Sequence, residues 1–268
     1  MFPRFTAFVA IAFTWLCLPL QGEPQIVVID PGHGGTKDSG SEKERSLSAS
    51  NNAKTPAGLL EKDLTLELSL EIERQIQALA ANHPGTTVQC VLTRREDLNP
   101  DFVMRAEVCA SQPRPPAAIV SIHFNASADH RRRGTVAVIH NRKANPNHLR
   151  DEAFAKGLCA ATSSGVDDFQ PSSKPLPPID DSHLHDGKGS NFFHQLASRP
   201  TLKNTPKCFL EVEFIDGKDV EEKLIAKRKE SFPVIAKAIA EYLYAHCAAQ
   251  GGGTPAAPEG GEVNPPPK

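Results

Sequence analysis

Four side chains in this sequence could together cut an amide bond. His33 stands in DPGHGG, Glu61 precedes a leucine-rich stretch, His123 lies in SIHFNA, and Glu211 lies in FLEVEF. Two imidazoles and a carboxylate are a recurrent zinc donor set, one that leaves a position open for water. A further carboxylate can take a proton from that water and hand it to a departing amine. Each residue also has a plainer role. A histidine after a strand is more often a hydrogen-bonded loop residue, and Glu61 alone reads as an acid favoured by a helix N-terminus. Other features favour the chemical reading. Gly32, Gly34 and Gly35 let the backbone turn sharply around His33 and keep bulk away. His123 sits in an otherwise apolar strand, where an unpartnered imidazole would be costly. Glu211 and Glu213 are two apart, so they share a strand face. Buried carboxylates need partners, and spacing does not choose between these two.

The elements that must position these residues are legible from the pattern. QIVVID (25–30) is a β-branched run ending at Pro31-Gly32, a buried strand and its turn. Residues 86–93, 117–124, 134–140 and 207–215 read as further strands. Leu60, Leu64, Leu68, Ile72 and Ile76 recur every four residues, which predicts an amphipathic helix over 62–81. Further helices are expected over 101–111, 148–161 and 219–247, the last divided where Pro233 opens a second piece. Residues 36–56 are polar and read as a loop, and 163–206 reads as a long irregular segment. Strands alternating with helices predict an α/β fold: a single domain with a mainly parallel, twisted sheet flanked by helices. In such sheets ligands lie beyond the carboxyl ends of the strands, near which His33, His123 and Glu211 fall.

The chain has 268 residues, of which 39% are hydrophobic, enough for a core and against wholesale disorder. Thirty basic residues against 32 acidic ones leave no basic surplus for a nucleic-acid partner. Residues 1–22 place Arg4 before an apolar run and Gly22 after it, the order of a secretory signal peptide, so an exported, periplasmic or extracellular protein is expected. No later stretch is apolar enough to span a membrane. Residues 25–248 form the expected catalytic domain, and the Gly/Pro-rich 249–268 a disordered tail. Cys90, Cys109, Cys159, Cys208 and Cys247 contain no C-x-x-C pair, which argues against a zinc–thiolate site and leaves any disulfide pairing open.

In combination, IVVIDPGHGG (26–35), LLEKDLTLELSLEI (59–72), VLTRREDLNPDFVMRAEVC (91–109), AIVSIHFNAS (118–127), GTVAVIH (134–140) and CFLEVEF (208–214) resemble the zinc-dependent N-acetylmuramoyl-L-alanine amidases often called amidase 3. The resemblance implies a Zn²⁺ cofactor held by His33, Glu61 and His123. It selects Glu211 over Glu213 as the catalytic acid–base residue, through the E-x-x-F spacing to Phe214. The implied substrate is peptidoglycan or a muropeptide, cut between N-acetylmuramic acid and L-alanine. Arg94, Asp97 and Arg105 match family stretches read as structural. The sequence departs from the family in Glu213, which stands where a small residue is usual, and in the length of the 36–56 loop. Lys188-Gly189 stands in for an Arg-Gly pair, and the 163–206 segment occupies the place where some relatives carry a blocking helix. A zinc peptidase, a deacetylase and a non-catalytic wall-binding module are the competing readings. No activator protein is named by the sequence.

Overall fold

The computed structural model describes residues 23–35, 53–83, 87–184 and 189–251. The expected signal peptide, residues 36–52 of the polar loop, Lys188 and the tail beyond Gly251 lie outside the described residues. Strands β1 (Gln25–Pro31), β2 (Val88–Leu92), β3 (Ala118–Asn125), β4 (Val136–Ile139), β5 (Ile179–Asp180) and β6 (Lys207–Phe214) form one sheet in the order β2-β1-β3-β6-β4-β5. All neighbours run parallel except β4, which is antiparallel to β6. The sheet is therefore mixed but mostly parallel, and it is flanked by helices on both faces.

One face is covered by α1 (Glu61–Asn82), α3 (His148–Asp167) and α5 (Arg228–Gly251). Leu64, Leu68, Ile72 and Ile76 of α1 bury completely there against Val27, Ile29, Val120 and Ile122. This is the four-residue spacing finding its partner surface. On the other face lie α2 (Phe102–Ala110) and α4 (Asn191–Ala197), packed on Ile26, Val28, Ile119, Val138 and Phe209. Asp101 starts α2 by accepting a hydrogen bond from the Met104 N–H at 2.8 Å, as an N-cap should.

The irregular reading of 163–206 is the main difference from expectation. Helix α3 continues to Asp167, and the segment beyond it carries β5 and α4. Helix α4 is only 7 residues long, too short for a periodic signal, yet Phe192, Phe193 and Leu196 are fully buried. Burial of that aromatic pair, not helix propensity, holds it in place. The division of the last helical region also falls elsewhere. Helix α5 starts at Arg228, so Pro233 lies inside it, and the break is a π turn over Glu221–Ile225.

Candidate metal centre

Along the α2/α4 face each central strand changes from apolar to polar towards its carboxyl end. On β1 the sequence of inward residues is Ile26, Val28, Asp30; on β3 it is Ile119, Ser121, His123; on β6 it is Phe209, Glu211. Parallel register sets Asp30 beside Ser121, and His123 beside Glu211. The polar ends of three strands thus meet at one edge of the sheet, where the β1–α1 connection brings His33 and Glu61.

The His33 Nε2 lies 3.0 Å from Glu61 Oε2, and the His123 Nδ1 lies 3.0 Å from Glu61 Oε1. One donor atom from each of the three residues falls within 4.8 Å of the others. The two rings meet edge-on, with centroids 4.9 Å apart. Glu61 is 3% exposed. Its Oε1 also accepts from the Phe124 N–H at 3.0 Å and its Oε2 from the Ala53 N–H at 3.1 Å. Burial alone would raise the Glu61 carboxyl, but the attraction of His33 and the hydrogen bond from His123 outweigh it and hold it well below the usual carboxylate range. Its position at the first residue of α1 satisfies the plainer reading too, but its carboxylate is turned to the imidazoles rather than to the helix end.

Glu211 sits on the strand next to His123. Its Oε2 is sealed from solvent and has no hydrogen-bond partner among the described residues. Burial is the largest influence on this carboxyl; with Glu61 nearby it outweighs the pull of His123 and raises the group to about 7. Glu213 has a different environment. Its Oε1 accepts from the N–H groups of Gly134 and Phe214, both at 2.8 Å. The pairing of β3 with β6 slips between His123 and Asn125, so Val212 and Glu213 lie in a β-bulge opposite Phe124. Its carboxylate occupies backbone donors beside that bulge and is itself fully buried. The larger side chain at this position thus fastens the strand end rather than facing the three-residue cluster.

Arginines brace the loop that carries His33. Arg94 donates to the carbonyls of Pro31 and Gly32 at 2.9 Å each and of Lys62 at 2.8 Å, joining the loop to α1. Arg105 pairs with Asp30 at 2.6 Å and reaches the His33 carbonyl at 2.6 Å. Asp97 accepts from the Gly35 N–H at 2.7 Å and from the Lys62 ammonium. These contacts hold His33 at φ 59°, a left-handed conformation that costs a non-glycine residue energy and persists where the surroundings over-determine it. The structural reading of Arg94, Asp97 and Arg105 accords with these contacts. Gly32 serves His123 rather than His33: a Cβ there would enter the His123 ring. Sequence reasoning passed over Asp30 and Ser121. Their signal was present in the alternation, since both share a strand face with the residues above.

The donor chemistry fits a divalent metal. Two imidazole nitrogens aimed at one buried carboxylate leave room for positive charge between them, and Glu211, whose Oε2 has no hydrogen-bond partner among the described residues, stands beside His123 on the next strand. A His–Glu–His set suits zinc.

The chain matches the family profile described as N-acetylmuramoyl-L-alanine amidase over residues 27–244. It is 31% identical over 123 residues to the N-acetylmuramoyl-L-alanine amidase AmiC of Neisseria meningitidis serogroup B, an alignment covering 46% of this chain and 24% of that protein. The chain therefore spans about a quarter of the length of that curated relative. Among solved structures it resembles the apo N-acetylmuramyl-L-alanine amidase Ami1 of Mycobacterium abscessus, with a TM-score of 0.59, 22% identity, and coverage of 83% of this chain and 98% of that one. The N-acetylmuramoyl-L-alanine amidase AmiC2 of Nostoc punctiforme gives a TM-score of 0.55 and 23% identity, covering 85% of this chain and 99% of that one. These likenesses establish a shared fold, and the profile match, over most of the domain, establishes the kinship: the chain belongs to the N-acetylmuramoyl-L-alanine amidase family.

Proposed function

We propose that this chain is an exported, zinc-dependent hydrolase that cuts the amide between the lactyl group of N-acetylmuramic acid and the L-alanine of peptidoglycan stem peptides. The observation that carries the reading is the placement of Glu211 in register with His123, beside the His33–Glu61–His123 cluster. His33, Glu61 and His123 would hold the zinc. Bound there, zinc supplies Lewis-acid charge that polarises a carbonyl and makes water more acidic. Glu211 takes a proton from the attacking water as its oxygen bonds to the carbonyl carbon. When the carbon–nitrogen bond breaks, Glu211 returns that proton to the leaving nitrogen, so a carboxylic acid and a free amine result. The buried Arg105–Asp30 pair and Arg94 hold the loop of His33 still while this happens.

Residues 1–22 would direct export to the compartment of the substrate. Among the described residues no helix is long and apolar enough to cross a membrane. The test is digestion of purified peptidoglycan with and without a chelator, with products identified by mass. The proposal expects stem peptides with a free L-alanine amine, lost on chelation and restored by zinc. Released acetate would instead mark a deacetylase. An inert zinc-loaded protein that still binds peptidoglycan would mark a binding module.

A further inference from the structure

Only one ring nitrogen of His123 faces Glu61. The other, Nε2, lies 3.1 Å from the Ser121 hydroxyl. Ser121 is fully buried, two residues upstream on β3 and on the same strand face. Its hydroxyl donates to Asp30 Oδ2 at 2.6 Å, on the neighbouring strand. Asp30 is 2% exposed and is paired with Arg105 at 2.6 Å; it also accepts from the Thr93 hydroxyl. A carboxylate so surrounded accepts hydrogen bonds and has none to give. A hydroxyl carries one hydrogen, and that of Ser121 is committed to Asp30. Ser121 Oγ therefore meets His123 Nε2 as an acceptor. Nε2 therefore carries a ring proton, which leaves Nδ1, the nitrogen facing Glu61 Oε1, as the one that can give up its proton to a metal.

We propose that Ser121 is a positioning residue which, backed by Asp30, fixes the tautomer and ring orientation of His123 so that Nδ1 is its metal-facing nitrogen. The inference rests on the reading of His123 as a zinc ligand. Partners that orient a ligating histidine in this way typically contribute about 10–100-fold to metal affinity. The same Asp30 is gripped by Arg105, whose other nitrogen holds the His33 carbonyl, so one buried ion pair registers both imidazoles. Asp30 acts on His123 through Ser121, and Arg105 acts on His33 through the backbone.

Two measurements on the full chain test this. In zinc-loaded protein labelled with ¹⁵N-histidine, two-bond ¹H–¹⁵N spectra should show His123 protonated at Nε2 and zinc-shifted at Nδ1. The opposite assignment would overturn the proposal, and this reading needs no variant. Chelator competition should then show Ser121→Ala binding zinc about 10–100-fold more weakly than the unaltered chain. Equal affinity would refute the role of Ser121 while leaving the metal centre intact. Failure of the unaltered chain to take up zinc would instead remove the ligand assignment itself.

Discussion

Gly32 and His123 occupy one another's space: a Cβ on Gly32 would lie 2.6 Å from Nε2 and 2.7 Å from Nδ1 of the His123 ring. The turn after β1 passes so close to the end of β3 that the imidazole packs directly on backbone. A methyl group there must push the ring out of the orientation set by Glu61 and Ser121.

Gly32→Ala should therefore weaken zinc binding about 10-fold or more, on the scale of lost ligand orientation, while the protein stays folded. Chelator competition measures the first and thermal unfolding of the zinc-free protein the second. Unchanged affinity would show that the ring tolerates displacement.

Glu213 predicts a pH effect on stability. Burial is the largest influence and raises its carboxyl above the ordinary 4.5, although Ser173 and the N–H groups of Phe214 and Gly134 oppose this. The folded protein then holds this proton more tightly than the unfolded chain. The associated stability is fully present below the unfolded value and disappears as pH rises through the folded one. Urea midpoints of the chelated protein should fall with pH above about 4.5 more steeply than those of Glu213→Gln. Parallel profiles would place the proton elsewhere.

How much of this was legible beforehand differs by residue. The buried run of β1 and the leucine spacing of α1 are local patterns, and both appear where the sequence puts them. His33, Glu61 and His123 stand out because polar groups beside apolar strands need a reason. The alternation puts Ser121 on the strand face of His123 but does not reveal what it touches. Its role depends on the register between β1 and β3, and neither strand alone reveals which residue of the other lies beside it. Helix α4 escaped because a 7-residue element among prolines and serines is held by tertiary burial of Phe192 and Phe193. The spacing argument left Glu211 and Glu213 equivalent. The bulge separates them, and a bulge has no signature in an alternating run.

The cysteines give an independent check. Cys90, Cys109, Cys159, Cys208 and Cys247 are all free, and all but Cys90 are buried. Burial pushes the thiols up, Cys159 and Cys247 to about 12. Thiolates are the reactive form, so the native protein should label slowly at these positions with a thiol reagent and rapidly once unfolded. Rapid native labelling, or no gain on denaturation without reductant, would contradict this arrangement.

The most direct measurement compares zinc content and turnover on purified peptidoglycan for the unaltered chain and for Glu211→Gln. The account predicts that the variant keeps one zinc per chain, because His33, Glu61 and His123 are untouched. It predicts a fall in turnover of at least about 100-fold, the usual cost of losing an acid–base group. Near-normal turnover with zinc retained would contradict the assignment of proton transfer to Glu211.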